Sequence, residues 1–328
     1  MAYHLQRPIR AFSKELFLRR SKALSFILYR LKWNLYPKIG FVSQYPLHVD
    51  IEVTNRCNLK CTMCVKSSEK EQGNQGDIDF SLACSILEAI KGKVYSVKFN
   101  WRGEPLLYGK LPQLIAYAKS LGIPEVQLNS NGLLLNKKLS RNLIEAGLDR
   151  IIISIDGHSA KTYESIRVGG NYELLLKNVH AFLQEKKLHK TSFPIVRVQM
   201  CVGKENLHER EDFIRYWLSY GVQVGIMDRQ DRLKNQDKKL RVSVLKRCKQ
   251  PWQRMTISWE GKVFPCCADY YERSPLWKIE KDMSVEEVRN GLQSLWKENV
   301  ILNKIRKDIQ AGNIENILCL HCPSMKGK

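Results

Sequence analysis

Apolar residues recur along this chain in two alternating rhythms. Short apolar runs over 48–53, 94–100, 125–129, 150–155, 195–202 and 222–227 predict strands. Between them the spacing predicts helices near 80–91, 110–121, 136–146, 172–187 and 206–219. Gly92, Gly122, Gly147 and Gly221 stand at or near the ends of those helices, where glycine accepts left-handed backbone. Repeated strand–helix units predict a parallel sheet. Six such units are too few for a complete eight-unit barrel.

The two ends of the chain follow other patterns. Within 1–45, Leu16, Phe17, Leu24, Ile27, Leu28, Leu31 and Leu35 recur at helical spacing. Arg19, Arg20, Lys22, Arg30 and Lys32 fall largely off that stripe, and Trp33 and Tyr36 stand at its end. This predicts a basic amphipathic helix with two destinations: a membrane interface, or an apolar face docked on the main domain. Residues 46–228 hold the strand–helix repeats. Residues 229–247 are densely charged and read as a linker or surface insertion, with basic side chains near a substrate mouth. A second domain, 248–328, begins at Cys248. No internal repeat stands out.

The 328 residues suffice for one large domain and a smaller one. No apolar run approaches the roughly 20 residues that span a bilayer. Charges interrupt every early apolar stretch, so no secretory pattern is expected. Ten cysteines without an export signal point to reduced thiols used as metal ligands. The expected location is a reducing cytoplasm, with peripheral contact at the inner face of the membrane through residues 1–40. The net charge of +21 changes the picture of the partner. Residues 1–40 alone hold nine Lys/Arg against the single acid Glu15. A solvated basic surface is one reading; an acidic partner is the other: a phosphorylated substrate, nucleotide sugar, nucleic acid or anionic lipid.

The chemistry sits at the predicted strand ends. Cys57, Cys61 and Cys64 form a C-x3-C-x2-C cluster just after the first strand. Three thiolates on one loop can hold three irons of a cubane cluster and leave the fourth open to a small chelating molecule. A zinc knuckle would want a fourth Cys or His close by, and none follows Cys64 closely. Cys84 lies on a predicted helix as a small buried residue. The next strand ends in Asn100-Trp101-Arg102-Gly103-Glu104-Pro105, and the third in Asn129-Ser130-Asn131-Gly132. The fourth ends in Ser154-Ile155-Asp156-Gly157, followed by Tyr163-Glu164-Ser165-Ile166-Arg167. A second cysteine set starts with Cys248 and Cys266. The segment Ser258–Val263 between them carries a hairpin signal that would bring the two together. Cys319 and Cys322 complete four thiolates, enough to enclose a second cluster or a four-cysteine zinc site. Cys267 and His321 are alternative ligands, though Cys267 adjoins Cys266 and is expected to point away.

These motifs, over about residues 45–323, resemble the radical S-adenosylmethionine (radical SAM) superfamily in its SPASM/twitch subgroup. The cysteine count is most similar to the twitch form with one auxiliary cluster, as in 2-deoxy-scyllo-inosamine dehydrogenase. The resemblance implies an α/β fold: a partial (βα)6 TIM-type barrel, a C-terminal twitch/SPASM-like auxiliary cluster domain, and the N-terminal amphipathic helix outside it. It implies two [4Fe–4S] clusters, one on Cys57, Cys61 and Cys64 and an auxiliary one on Cys248, Cys266, Cys319 and Cys322. It also implies S-adenosylmethionine, whose reductive cleavage yields a 5′-deoxyadenosyl radical that abstracts hydrogen from a substrate C–H.

By the same resemblance Met63 packs near the adenine. Gly103, Glu104 and Pro105 hold the methionine amino group, although Arg102 stands where the family often has a second glycine. Ser130 and Asn131 belong to a turn like the family's T/S-N-G turn, and Ser154 lines the ribose. Asp156 belongs to the SIDG segment, and Arg167 meets a carboxylate of cofactor or substrate as the catalytic candidate. Gln199 and Met200, with Val202, are candidates for the adenine wall. For Ser130, Asn131 and Asp156, ordinary turn chemistry is the alternative. Cys201 is either a buried thiol or a hydrogen donor.

The implied reaction is oxidation or epimerisation of a sugar- or cyclitol-like substrate, phosphorylated or lipid-linked, with flavodoxin or ferredoxin as electron donor. The rivals are a maturase of a ribosomally made peptide, an RNA-modifying radical enzyme, and a zinc-dependent binding protein. No RNA-binding motif with interleaved aromatics supports nucleic acid as partner.

Overall fold

The computed structural model describes residues 2–4, 15–19, 23–67, 73–229, 248–312, 319 and 322. Arg7, Arg10, Lys14, Arg20, Lys22, most of the charged stretch 229–247, and His321 lie outside the described residues. The first elements are β1 (Ala2–His4) and α1 (Ala23–Ile39). Then come six parallel strands: β2 (His48–Ile51), β3 (Ser96–Lys98), β4 (Glu125–Ser130), β5 (Arg150–Ser154), β6 (Ile195–Val202) and β7 (Gln223–Asp228). Between them run α2 (Phe80–Ile90), α3 (Leu111–Ser120), α4 (Lys137–Glu145), α5 (Ala160–Ile166), α6 (Tyr172–Leu188) and α7 (Arg210–Ser219). Each strand pairs with the next in parallel, from His48 opposite Ser96 to Val202 opposite Asp228. This is the partial barrel that the motifs imply.

Strand alternation sorts the side chains. Val49, Ile51 and Val53, Val97 and Phe99, Val126 and Leu128, and Ile151 and Ile153 join the core beneath the helices. The opposite parity carries Asp50, Glu52, Lys98, Asn100, Gln127, Asn129, Ser154 and Gln199. Side chains of a strand point to opposite faces in turn. The barrel is therefore apolar outside, against helices, and polar inside, where the site lies.

The hairpin expected near Ser258 is β8 (Arg254–Ile257) and β9 (Lys262–Phe264). Gly261 makes its turn at φ +85°, and a Cβ there would stand 2.4 Å from the carbonyl oxygen of Ile279. The hairpin also extends the barrel sheet: β8 lies parallel to β2, with His48 opposite Arg254. The open edge of β2 is thereby paired. β10 (Trp277–Lys278) adds to β9, and β1 adds antiparallel to β7, giving one ten-stranded sheet. Two further helices, α8 (Val285–Glu298) and α9 (Val300–Ala311), close the C-terminal region. A reciprocal Ser284–Glu287 capping box starts α8.

The N-terminal segment closes the base of the barrel. Arg19 meets Glu125 at 2.6 Å, and Arg150 meets Glu15 at 2.8 Å. Tyr29 stacks on Tyr95 at 4.1 Å. Trp33 lies edge-on to His48, and its carbonyl accepts from Gln253 Nε2 at 2.7 Å. These partners stand at or just before the N-terminal ends of their strands. The face of α1 that docks is therefore aromatic. The expected leucine stripe points outward, and Trp33 faces the barrel, not the surface.

Candidate active site

The loop carrying Cys57, Cys61 and Cys64 leaves the end of β2 and is held from two sides. Gly103 passes so close that a Cβ would lie 2.2 Å from the carbonyl oxygen of Thr54. Glu104 N–H donates to Arg56 O at 2.8 Å. On the other side, Lys60 N–H donates to Val168 O at 2.9 Å and Thr62 N–H to Ile166 O at 3.0 Å. The three cysteines and Met63 border one cavity at the C-terminal ends of the strands. Burial pushes the Cys61 thiol up, opposed chiefly by Arg167, whose Nη1 donates to Cys61 Sγ at 3.7 Å. Three thiols on one loop that border one cavity fit an iron cluster, whose positive metal stabilises the thiolates.

Several of the expected residues line this cavity: Gly103, Glu104, Ser130, Asn131, Ser154, Gln199 and Arg167. Glu104 is nearly enclosed. One carboxylate oxygen accepts from Ser130 Oγ at 2.7 Å and Leu106 N–H at 3.1 Å, and the other from Asn131 N–H at 2.7 Å. Burial raises its carboxyl above the ordinary range, with the Asn131 amide the largest opposing influence. Ser130 Oγ and Asn131 Oδ1 also accept from Gly132 and Leu133 N–H groups, so both residues do turn chemistry while facing the cavity. Asn131 Nδ2 donates to Asn58 Oδ1 at 2.8 Å, tying this turn to the cysteine loop.

Three expected contacts stand back from the cavity. Pro105 begins the short helical turn that Glu104 caps, Pro105–Leu107, and is buried behind the wall. Asp156 is fully buried and holds Arg167, with Oδ2 at 2.6 Å from Nε and 2.5 Å from Nη2. Its other oxygen accepts from Cys201 N–H at 2.7 Å. Burial works against the Arg167 charge, but Asp156 outweighs it and holds the guanidinium well above its ordinary range. Met200 belongs to the helix-side core. Alternation places Gln199 and Cys201 on the cavity side instead, and Val202 packs against that same core.

The cavity also contains residues that sequence reasoning missed: Lys98, Asp228 and Tyr270. Lys98 Nζ lies 2.6 Å from the buried Asp50. A lysine at the interior parity of β3, between the core residues Val97 and Phe99, was the available signal. Trp101 Nε1 donates to Cys267 O at 2.7 Å. Arg102 stacks on Trp101 and bridges Glu52 at 2.8 Å and Glu272 at 2.6 Å. The residue that departs from the family's glycine thus bolts the cavity wall to the segment after Cys266.

Cys248, Cys266, Cys319 and Cys322 pack on Trp252, Ile305 and Ile309. Burial pushes the Cys248 thiol up to about 11 and Cys319 up to about 12. Cys322 N–H donates to Cys319 O at 3.2 Å. Four thiols gathered on one apolar cluster match the ligand count of an iron–sulfur cluster, although the described residues form no group poised to hold a single metal ion. Cys267 was expected to point away from the auxiliary set; it lies outside the apolar cluster that gathers the other four and lines the cavity, with Arg254 Nη1 3.9 Å from its Sγ. The two sites are therefore neighbours, Cys266 in one and Cys267 in the other.

A family model described as the Radical SAM superfamily matches residues 51–216. A second, SPASM, described as an iron–sulfur cluster-binding domain, matches residues 248–323. The chain is 32% identical over 134 residues to a probable GTP 3′,8-cyclase of Methanococcus maripaludis, covering 41% of this chain and 44% of that one. It is 29% identical over 178 residues to a tungsten-containing aldehyde ferredoxin oxidoreductase cofactor-modifying protein of Pyrococcus furiosus, covering 52% and 48%. The chain thus matches about half the length of these curated relatives. Among solved structures, BtrN in complex with AdoMet and 2-DOIA is similar at TM-score 0.53 and 17% identity, over 84% of this chain and 92% of that one. Streptococcus suis SuiB bound to precursor peptide SuiA is similar at TM-score 0.63 and 15% identity, over 88% and 72%.

Proposed function

The chain belongs to the radical SAM superfamily, and from that premise we propose that it oxidises a hydroxylated, sugar- or cyclitol-like substrate bearing a phosphate. Its cofactors are a [4Fe–4S] cluster, an auxiliary iron–sulfur cluster and S-adenosylmethionine. When bound, the first cluster and S-adenosylmethionine supply a carbon-centred radical that takes hydrogen from an unactivated C–H bond. We assign the barrel to 46–228 and the auxiliary unit to 248–328, a reading the two matched ranges support.

In this proposal Cys57, Cys61 and Cys64 hold the first cluster. The turn around Gly103 and Glu104 receives the amino group of S-adenosylmethionine, and Arg167, aimed by Asp156, receives a carboxylate. Met63, Ser154 and Gln199 flank the adenosine. Pro105, Asp156 and Met200 support the wall from behind. Lys98 attracts the anionic group of the substrate. Relatives named GTP 3′,8-cyclase act, by that name, on a phosphorylated ribose compound, which supports this substrate class.

The adjacency of Cys266 and Cys267 carries the oxidation reading. A substrate that has lost hydrogen beside Cys267 lies one residue from the auxiliary set. In this reading Asp228, exposed at the mouth, would take the hydroxyl proton, and a cluster held by Cys248, Cys266, Cys319 and Cys322 would supply the one-electron acceptor needed to leave a carbonyl. A flavodoxin or ferredoxin in a reducing cytoplasm is the donor that fits, with the protein peripheral to the inner membrane face. Among the described residues no helix is long and apolar enough to cross a membrane.

Epimerisation is the second reading, because Cys201 also faces the cavity and could return a hydrogen atom. The test is anaerobic incubation of reduced protein with S-adenosylmethionine and sugar phosphates, cyclitol phosphates, nucleotide sugars, peptides or RNA. Oxidation predicts equal amounts of 5′-deoxyadenosine and a carbonyl product. Solvent deuterium in an unoxidised epimer would favour Cys201; turnover with peptide or RNA alone would overturn the substrate class.

A further inference from the structure

We infer that the outward face of α1 seats on an anionic lipid bilayer. The helix carries apolar residues on two opposite faces, and these serve different neighbours. Phe26 and Tyr29 are buried against the barrel base, with Trp33 beside them. Leu24, Leu28, Leu31, Leu35 and Ile39 recur at helical spacing on the other side and are 70%, 45%, 58%, 49% and 60% exposed. Single exposed leucines are ordinary. Four leucines and Ile39 on one stripe of one helix form a contiguous apolar face of the kind that marks an interaction site.

Charge selects the occupant. Residues 23–39 contain no Asp or Glu. Arg30, Lys32 and Lys38 are exposed, and at 3.6 residues per turn Lys32 and Lys38 fall on either side of the leucine stripe. A second copy seated there about a two-fold axis would bring these cations against their own kind, with no acid on the helix to pair them. Anionic headgroups would meet the cations while acyl chains take the leucines. A helix of 17 residues is about 26 Å long and lies in the plane of the interface.

The placement has a consequence for access. α1 crosses the base, at the N-terminal ends of the strands, whereas the cavity opens at their C-terminal ends. A bilayer under α1 leaves the mouth facing water. The substrate then arrives from solution, not as a lipid headgroup in the same membrane. The inference is independent of which substrate is oxidised.

The test is flotation of the full-length, cluster-loaded protein with phosphatidylcholine vesicles, with and without phosphatidylglycerol, at low and high salt. Sedimentation in the absence of lipid runs beside it. The wild type is expected to float with phosphatidylglycerol and to be released by salt. Leu28→Ser/Leu31→Ser/Leu35→Ser should bind at least about tenfold more weakly with unchanged iron content and circular dichroism. Lys32→Gln/Lys38→Gln should bind roughly 30-fold more weakly. Absence of wild-type flotation overturns the inference. So does binding that ignores headgroup charge, or a dimer that the leucine variant dissolves.

Discussion

The two cysteine sets of this chain are built in opposite ways. Cys57, Cys61 and Cys64 ride one short loop, pinned by Gly103 and Glu104 on one side and by the backbone of 166–168 on the other. Their open side is a polar cavity. Cys248, Cys266, Cys319 and Cys322 come from widely separated stretches and meet against Trp252, Ile305 and Ile309. A three-thiol loop beside a polar cavity suits a centre that must admit a ligand. A four-thiol set packed on tryptophan and isoleucine would supply every ligand of a cluster from the protein, which suits a centre that stores or passes an electron. The wall around the thiols, more than their spacing, separates the two roles. The peptide between Cys266 and Cys267 is where the two environments touch.

Changes on either side of that boundary should separate the roles. The largest effect is expected from Cys248→Ala/Cys266→Ala. Oxidised product should fall to background while 5′-deoxyadenosine formation stays within a few-fold, both read by chromatography of the same reaction. Persistent product would erase the division of labour. Next is Asp156→Asn, which leaves Arg167, half-buried at the cavity wall, without its fully buried carboxylate partner. Breaking such a pair costs about 3–5 kcal/mol, so cleavage of S-adenosylmethionine should drop by more than about 100-fold, with the auxiliary site intact by its absorption spectrum.

Gly103→Ala should act on the loop set alone. A Cβ 2.2 Å from Thr54 O must displace the cysteine loop. Overpacking of this kind costs about 1–3 kcal/mol, and the loss should appear as faster release of iron from the first cluster only. The smallest effect is a pH dependence. Burial raises the Glu104 carboxyl, so as pH falls it protonates before an ordinary glutamate does. A protonated Glu104 accepts fewer hydrogen bonds from Ser130 and Asn131. Affinity for S-adenosylmethionine, measured by equilibrium dialysis, should therefore weaken few-fold on mild acidification, and Glu104→Gln should flatten the profile.

The barrel was legible because each strand carries its core-facing residues at one parity. Val49, Ile51 and Val53 mark the helix side of β2, and Asp50 and Glu52 mark the interior. The same parity shows why Met200 cannot share a wall with Gln199. α5 was not legible, since its seven residues are too few to show a helical period. β1 is invisible locally because its partner, β7, lies far along the chain. That Cys267 turns into the cavity was not legible, because adjacency says nothing about the turn that follows, where Asp269 N–H donates to Cys266 O at 3.2 Å. In α1, leucines and aromatics both recur at helical spacing on different faces, so spacing alone could not name the docking face. Tyr95, His48 and Gln253, all distant in sequence, decide it.

The central claim is that one chain holds two iron–sulfur sites, one open to a ligand and one closed. The most direct measurement is iron, sulfide and zinc analysis with electron paramagnetic resonance on anaerobically reconstituted Cys57→Ala/Cys61→Ala/Cys64→Ala. The account predicts about half the wild-type iron, one remaining reduced-cluster signal that S-adenosylmethionine does not perturb, and no 5′-deoxyadenosine. Stoichiometric zinc without iron in that variant, or continued cleavage of S-adenosylmethionine, would contradict it.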